Sequence, residues 1–195
     1  ISGSVFLRKA KIAGEVDFKG AKISANFNCR GAILVRKHGS RGNQRGRSLK
    51  ASGLTVSGAF FWGHGAKSNG VLDFTAAKFD RIGDERVEDY GSSEFWPEEI
   101  VLDRCTYRAF TSGPTDSQAR LAWLNRQNPV AFGSDFWPQP YEQCAKVLRE
   151  SGHTEDAKDV LIKKHRLQRC KTSSALLAYI LERSQFSKSF EEKWV

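Results

Sequence analysis

Written in elevens, residues 3–35 read GSVFLRKAKIA, GEVDFKGAKIS and ANFNCRGAILV. Val5, Val16 and Phe27 share one column, and Leu7, Phe18 and Cys29 share the next. Ala10, Ala21 and Ala32 form a third column, with Ile12, Ile23 and Leu34 as the fourth. An internal period constrains a fold more than local propensity does, because each unit buries its apolar side only against its neighbours. Within each half-repeat the apolar residues alternate (Val5-x-Leu7, Ala10-x-Ile12), the period of a half-buried strand and not of a helix. Successive pairs begin five and then six residues apart, and the steps between them lack the residues that reverse a hairpin. A chain that keeps turning one way satisfies this spacing. The expected fold is mainly β: a right-handed parallel β-helix with coils of about 22 residues. Arg8, Lys9, Lys11, Glu15 and Lys19 then point outward.

The pattern lapses at residues 36–47 (RKHGSRGNQRGR) and resumes with Leu49, Leu54 and Val56. It continues through Phe60-x-Trp62 and Leu72-x-Phe74 to Phe79, with a one-residue irregularity near Gly63–Gly65, where Gly63-His64-Gly65 reads as a turn. Residues 80–99 are acidic, lack the columns and read as a second loop; Ile100-x-Leu102 and Cys105-x-Tyr107 read as a final partial coil. A repeat stack needs a terminal cap, and SQARLAWLNR (Ser117–Arg126) has the helical spacing to supply it. This gives a β-helix over 1–112, a connecting and capping segment over 113–138, and a helical region over 139–195.

That last region opens with prolines at Pro138 and Pro140, a boundary signal. YEQCAKVLRESG and HTEDAKDVLIKKHRLQR come next as an amphipathic hairpin, with Gly152 as the stop between them and Thr154, Glu155 and Asp156 as the next start. A third, apolar helix is expected over about residues 174–186.

The formal net charge is +9 with a pI near 9.5, which favours acidic partners and argues against mimicry of DNA. The sharpest basic cluster lies in and beside the first loop. Arg36, Lys37, Arg41, Arg45, Arg47 and Lys50 are candidate contacts for an anionic partner, whether nucleic acid or lipid head groups. A second set, Lys163, Lys164, Arg166, Arg169 and Lys171, precedes the apolar third helix, which is how a membrane-proximal cytoplasmic segment is arranged. The four cysteines, Cys29, Cys105, Cys144 and Cys170, are scattered, without a C-x-x-C pair, and read as free thiols in a reducing compartment. No G-x-G-x-x-G turn precedes a helix, so no cofactor site is expected. His38, His64, His153 and His165 are remote from each other, so no metal site is expected either. Of the carboxylates, Asp17 and Asp73 are outward repeat positions of interest, and the acidic loop (Asp84, Glu85 and their neighbours) reads as solvated surface. No catalytic residue can be named. The chain begins inside a repeat and contains no Met, which reads as a segment of a longer product.

The elevens of 3–34 and 58–79, LDRCTY at Leu102–Tyr107, the Trp123-Leu124 pair and QPYEQCAKVLRESGHTEDAKDVLIKKHRLQR at Gln139–Arg169 together resemble a bacterial pentapeptide-repeat-like family whose members are often labelled membrane-associated oxidoreductases. The resemblance implies a β-helix followed by membrane-embedded helices, and a place at the inner face of the bacterial cytoplasmic membrane. No residue here earns the enzyme label. The leading expectation is a non-enzymatic scaffold or binding module with a protein partner, near an anionic membrane surface. An enzyme whose active site lies outside this segment, and non-specific nucleic-acid binding through the basic loop, are the alternatives.

Overall fold

A computed structural model describes residues 1–36, 46–85 and 96–171. The described residues form thirteen short strands: β1 (Val5–Phe6), β2 (Lys11–Ala13), β3 (Val16–Asp17), β4 (Lys22–Ile23), β5 (Phe27–Asn28), β6 (Ile33–Val35), β7 (Arg47–Lys50), β8 (Thr55–Phe61), β9 (Lys67–Ser68), β10 (Val71–Asp73), β11 (Lys78–Gly83), β12 (Ile100–Val101) and β13 (Thr106–Thr111). Helix α1 (Ser117–Leu124), a 3-10 turn (Pro129–Phe132) and helix α2 (Gln139–Glu150) come after them. Residues 154–171 are also helical and are called α3.

The strands are short because the sequence places a tight corner after each apolar pair. Lys9, Gly20, Gly31, Gly53, Ala76 and Arg104 all have φ between 54° and 69°. In each case the next residue donates its amide to the carbonyl three positions back: Ala10 to Leu7, Ala21 to Phe18, Ala32 to Cys29, Leu54 to Ala51, Ala77 to Phe74 and Cys105 to Leu102. A four-residue turn with positive φ at its third position favours glycine there, and three of these six corners have it. An acceptor side chain at the turn's start tightens several of them: Asp17, Asn28 and Asp73 accept from the amides of Lys19, Arg30 and Thr75. The small third column of the repeat is the last residue of this turn.

All pairings are parallel, and they fall in three separate sheets: β1-β5-β8-β11-β13 with β4 also on β8, β12-β10-β7-β3, and β2-β6-β9. The fold class is therefore α/β, and the single right-handed β-helix expected from the elevens is corrected: no sheet closes or coils. The corners send successive strands to different sheets, so each sheet grows only by parallel pairing between strands distant in sequence. Val16, aligned with Val5 and Phe27 by the period, belongs to a different sheet from both. What the period does set is register. Val5 pairs with Phe27, Phe27 with Phe60, Phe60 with Ile82, and Ile82 with Phe110. A second line runs Val16–Leu49–Leu72–Ile100, and a third Ile12–Leu34–Ser68.

Those lines fill one core. Phe27, Leu34, Leu49, Phe60, Leu72 and Ile100 are completely enclosed. Aromatic contacts link its length, from Phe18–Phe27 at 4.9 Å through Phe60–Phe79 at 5.3 Å to Trp96–Trp123 at 5.7 Å. Each such side chain is a large apolar burial with an added geometric preference.

The loop expected over 80–99 begins later than the sequence suggested, since Asp80–Gly83 continue β11 and Ile82 is buried. Residues 37–45 of the first loop, 86–95 of the second and the third apolar helix near 174–186 lie outside the described residues.

Candidate functional site

The two ends of the stack differ. At one end β1, β2 and β3 are edge strands, each hydrogen-bonded to one neighbour only among the described residues. Their amides at Val5, Leu7 and Lys9 donate inward to Asn26, Asn28 and Arg30, and Phe18 and Gly20 donate to Lys50 and Ser52. In a parallel strand the alternate backbone groups point the other way, and among the described residues no strand receives them. Residues 1–3 do cover part of the neighbouring strand β4, with the Ile1 amino group on the Lys22 carbonyl at 2.9 Å and the Ser24 amide on the Ile1 carbonyl. The apolar side chains of this tier are half-buried: Val5, Leu7, Ala10, Ile12, Val16, Phe18 and Ala21. Their partners one strand further in, Phe27 for Val5 and Leu34 for Ile12, have no exposed surface. Phe6 is 66% exposed.

At the other end the last strands of two of the three sheets, β13 and β12, are covered. Gln139 and Gln143 of α2 donate side-chain amides to the carbonyls of Cys105 and Tyr107, at 3.0 and 2.6 Å, so a helix terminates the sheet at β13. Ile100 of β12 is bridged to Gln127 and donates to the Arg126 carbonyl. Trp62, Trp96, Trp123, Tyr107 and Phe110 pack beneath. Inside this plug sits an ion pair: Arg120 Nη1 and Nη2 lie 2.8 and 2.9 Å from the two oxygens of Asp84, and both side chains are almost wholly buried. Trp96 Nε1 donates to the same carboxylate at 3.2 Å, and the guanidinium lies 3.5 Å above the Phe110 ring. Gly113 has to be glycine here, since a Cβ would collide with Asp84 Oδ1. The hydroxyl of Tyr107 is buried with no hydrogen-bond partner among the described residues. Burial pushes the Cys144 thiol up to about 12 and holds Cys29 and Cys105 higher still, so these three are unreactive thiols at neutral pH.

The basic residues singled out in the sequence divide between strand and loop. Lys37, Arg41 and Arg45 lie outside the described residues. Arg36 reaches the Arg47 carbonyl at 3.0 Å and Glu15 at 3.5 Å. Arg47 Nε is 2.7 Å from Asp73, and Lys50 is 3.2 Å from Asp17. The three described members are thus engaged by carboxylates of neighbouring strands. Asp73, expected to point outward, is instead 3% exposed. Burial alone would raise its pKa, but the Thr75 hydroxyl and amide and the Arg47 guanidinium together hold it below the usual carboxylate value. In the second set, Lys164 is buried and donates to Glu142 at 2.9 Å, tying α3 to α2. Lys163 is half-buried, and Arg166, Arg169 and Lys171 are exposed.

One juxtaposition was invisible in the sequence. His64, at the turn after β8, and Glu85, just after β11, meet at 3.1 Å, and Arg30 approaches the same carboxylate at 3.7 Å while lying 3.9 Å above the Phe61 ring. A carboxylate can orient an imidazole for proton transfer, but among the described residues no hydroxyl or thiol is hydrogen-bonded to His64. The described residues also hold no group of three or more His, Cys, Asp or Glu that could hold a metal ion. Among them no helix is long and apolar enough to cross a membrane. Compared with protein-family models, curated proteins and solved structures, the chain finds no match in any of the three.

Proposed function

We propose that this chain is a non-enzymatic binding scaffold, a rigid stack whose edge strands β1, β2 and β3 accept further strands, from the same chain or from a partner protein. The observation that carries the reading is the contrast between the ends: glutamine side chains and helices finish one edge, while β1, β2 and β3 leave backbone groups and an apolar tier unfinished. Strand addition uses main-chain hydrogen bonds for affinity and alternate side-chain sites for specificity, and an unfinished edge is otherwise a liability. The test is a fusion. A copy of residues 3–24 placed directly before Ile1 should fold onto the edge and raise the melting temperature by several degrees. A fused segment that stays unstructured, with an unchanged or lower melting temperature, contradicts the reading.

A second reading, contact of α3 with the anionic inner face of a bacterial membrane, is favoured by the exposed Arg166, Arg169 and Lys171. Each basic residue near such a surface contributes about 1 kcal/mol. Co-sedimentation with vesicles rich in phosphatidylserine, lost when these three are changed to Gln, supports it; equal recovery with neutral vesicles removes it.

A further inference from the structure

We infer that the outer face of the largest sheet, around β8, β11 and β13, docks the phosphate backbone of double-stranded nucleic acid. This surface is separate from β1, β2 and β3 and does not depend on what pairs with them.

Alternation turns Val56, Phe79 and Tyr107 into the core and their chain neighbours outward. Register then lines up Lys22, Thr55, Lys78 and Thr106 on successive strands, each about 4.8 Å from the next. Lys78 and Thr106 are exposed, as are Ser57, Arg81 and Arg108 further along the same strands. Asp80 is the carboxylate of this face, and it is shared: Arg108 holds it at 2.7 and 3.2 Å, and Arg81 at 3.2 Å. Lys22 and Lys78 have no carboxylate partner among the described residues. The cations Lys22, Lys78, Arg81 and Arg108 thus outweigh the single anion. The basic residues prominent in the sequence are the reverse, since Arg36, Arg47 and Lys50 each have a carboxylate of their own in Glu15, Asp73 and Asp17.

The rest of the face selects the polyanion. Lys, Arg, Ser and Thr are the side chains that contact phosphate oxygens. A protein partner would need desolvated aromatic or apolar anchors, and none of the exposed large apolar residues lies on β8, β11 or β13. Single-stranded nucleic acid would need open rings on which to stack its bases. Phe61 of β8 is already covered by the Arg30 guanidinium, 3.9 Å from its ring centroid. Charge and hydroxyl groups remain, and a double helix uses these without any reading of sequence.

Fluorescence anisotropy with a labelled DNA duplex of about 20 base pairs tests this at salt from about 50 to 200 mM. The parent chain should bind, and its affinity should fall linearly on logarithmic axes. Lys78→Gln, Arg81→Gln and Arg108→Gln together should weaken binding about tenfold or more and flatten the salt slope by about one per residue removed. Asp80→Asn frees the two arginines and should tighten binding. A charge-matched control (Arg166→Gln, Arg169→Gln and Lys171→Gln) should stay within about twofold of the parent, because its residues lie off this face. Unchanged melting temperatures establish that each variant is folded. Equal losses in the face variant and the control, or a parent that fails to bind at the lowest salt, overturn the inference. Polyglutamate that displaces the labelled duplex as well as unlabelled DNA makes an acidic protein the occupant. Tighter face-dependent binding to phosphatidylglycerol vesicles makes it a membrane. Either result also overturns the inference.

Discussion

Val5 and Phe27 face one another in the same sheet, at the same position of the turn, yet Val5 is half-buried and Phe27 is fully enclosed. Ile12 and Leu34 repeat the contrast in a second sheet, and Val16 and Leu49 in the third. Local chemistry is the same in each pair, so the difference is purely one of neighbours: the inner member has strands on both sides. At the far end Tyr107 and Ile100 also lie on last strands, and they are buried because α1, α2 and the tryptophans have closed over them. An edge in this protein is therefore finished or unfinished according to the segments packed against it, and not according to the repeat itself.

The largest expected effect lies in the plug. Asp84→Ala would strand a fully buried guanidinium, a loss of about 3–5 kcal/mol, and Gly113→Ala should approach it by forcing the pair apart. Urea unfolding monitored by tryptophan fluorescence measures both; a midpoint unchanged in Asp84→Ala would mean that water reaches Arg120. Next come the paired columns. Leu34→Ala should cost about 2–5 kcal/mol as an enclosed cavity, while Ile12→Ala on the tier above should cost much less, on the order of 1 kcal/mol. Equal costs at the two positions would break the comparison.

The columns and the helix at Ser117–Leu124 were legible in the sequence, because alternation and helical spacing are local signals; the corners were not, since Lys9, Ala76 and Arg104 take the turn position without glycine. The assembly of three parallel sheets was not, since an eleven-residue period aligns Val16 with Val5 whether or not they share a sheet. Asp73 looked like an outward repeat position, and only the approach of Arg47, Ser52 and Thr75 from separate positions makes burial tolerable. The plug depended on Asp84 and Arg120, 36 residues apart, and no spacing rule connects a loop carboxylate to an arginine on a later helix. The basic residues were visible as a cluster, but the pairing of Arg36, Arg47 and Lys50 with Glu15, Asp73 and Asp17 needed the register of β3, β7 and β10.

Smaller effects sharpen the contrast further. Gln143→Ala removes a side-chain amide from the Tyr107 carbonyl and should cost about 1 kcal/mol; no loss would mean that β13 is finished by packing alone. Asp73 gives a pH signature. Its folded pKa lies below its unfolded value of about 3.9, so its contribution is fully present above that value and is lost as pH falls through the folded one. Urea midpoints measured from about pH 6 down to about pH 3, a range spanning the unfolded value, should therefore fall less steeply in Asp73→Asn than in the parent chain. Parallel curves would remove Asp73 from the acid sensitivity of the stack.

Amide hydrogen exchange reads the central claim directly. The alternate amides of β1, β2 and β3 that face away from the stack should exchange as fast as those of open turns, while the amides of β5, β8 and β11 exchange only on global unfolding. Protection of β1, β2 and β3 equal to that of β8 in the isolated chain would contradict an open edge.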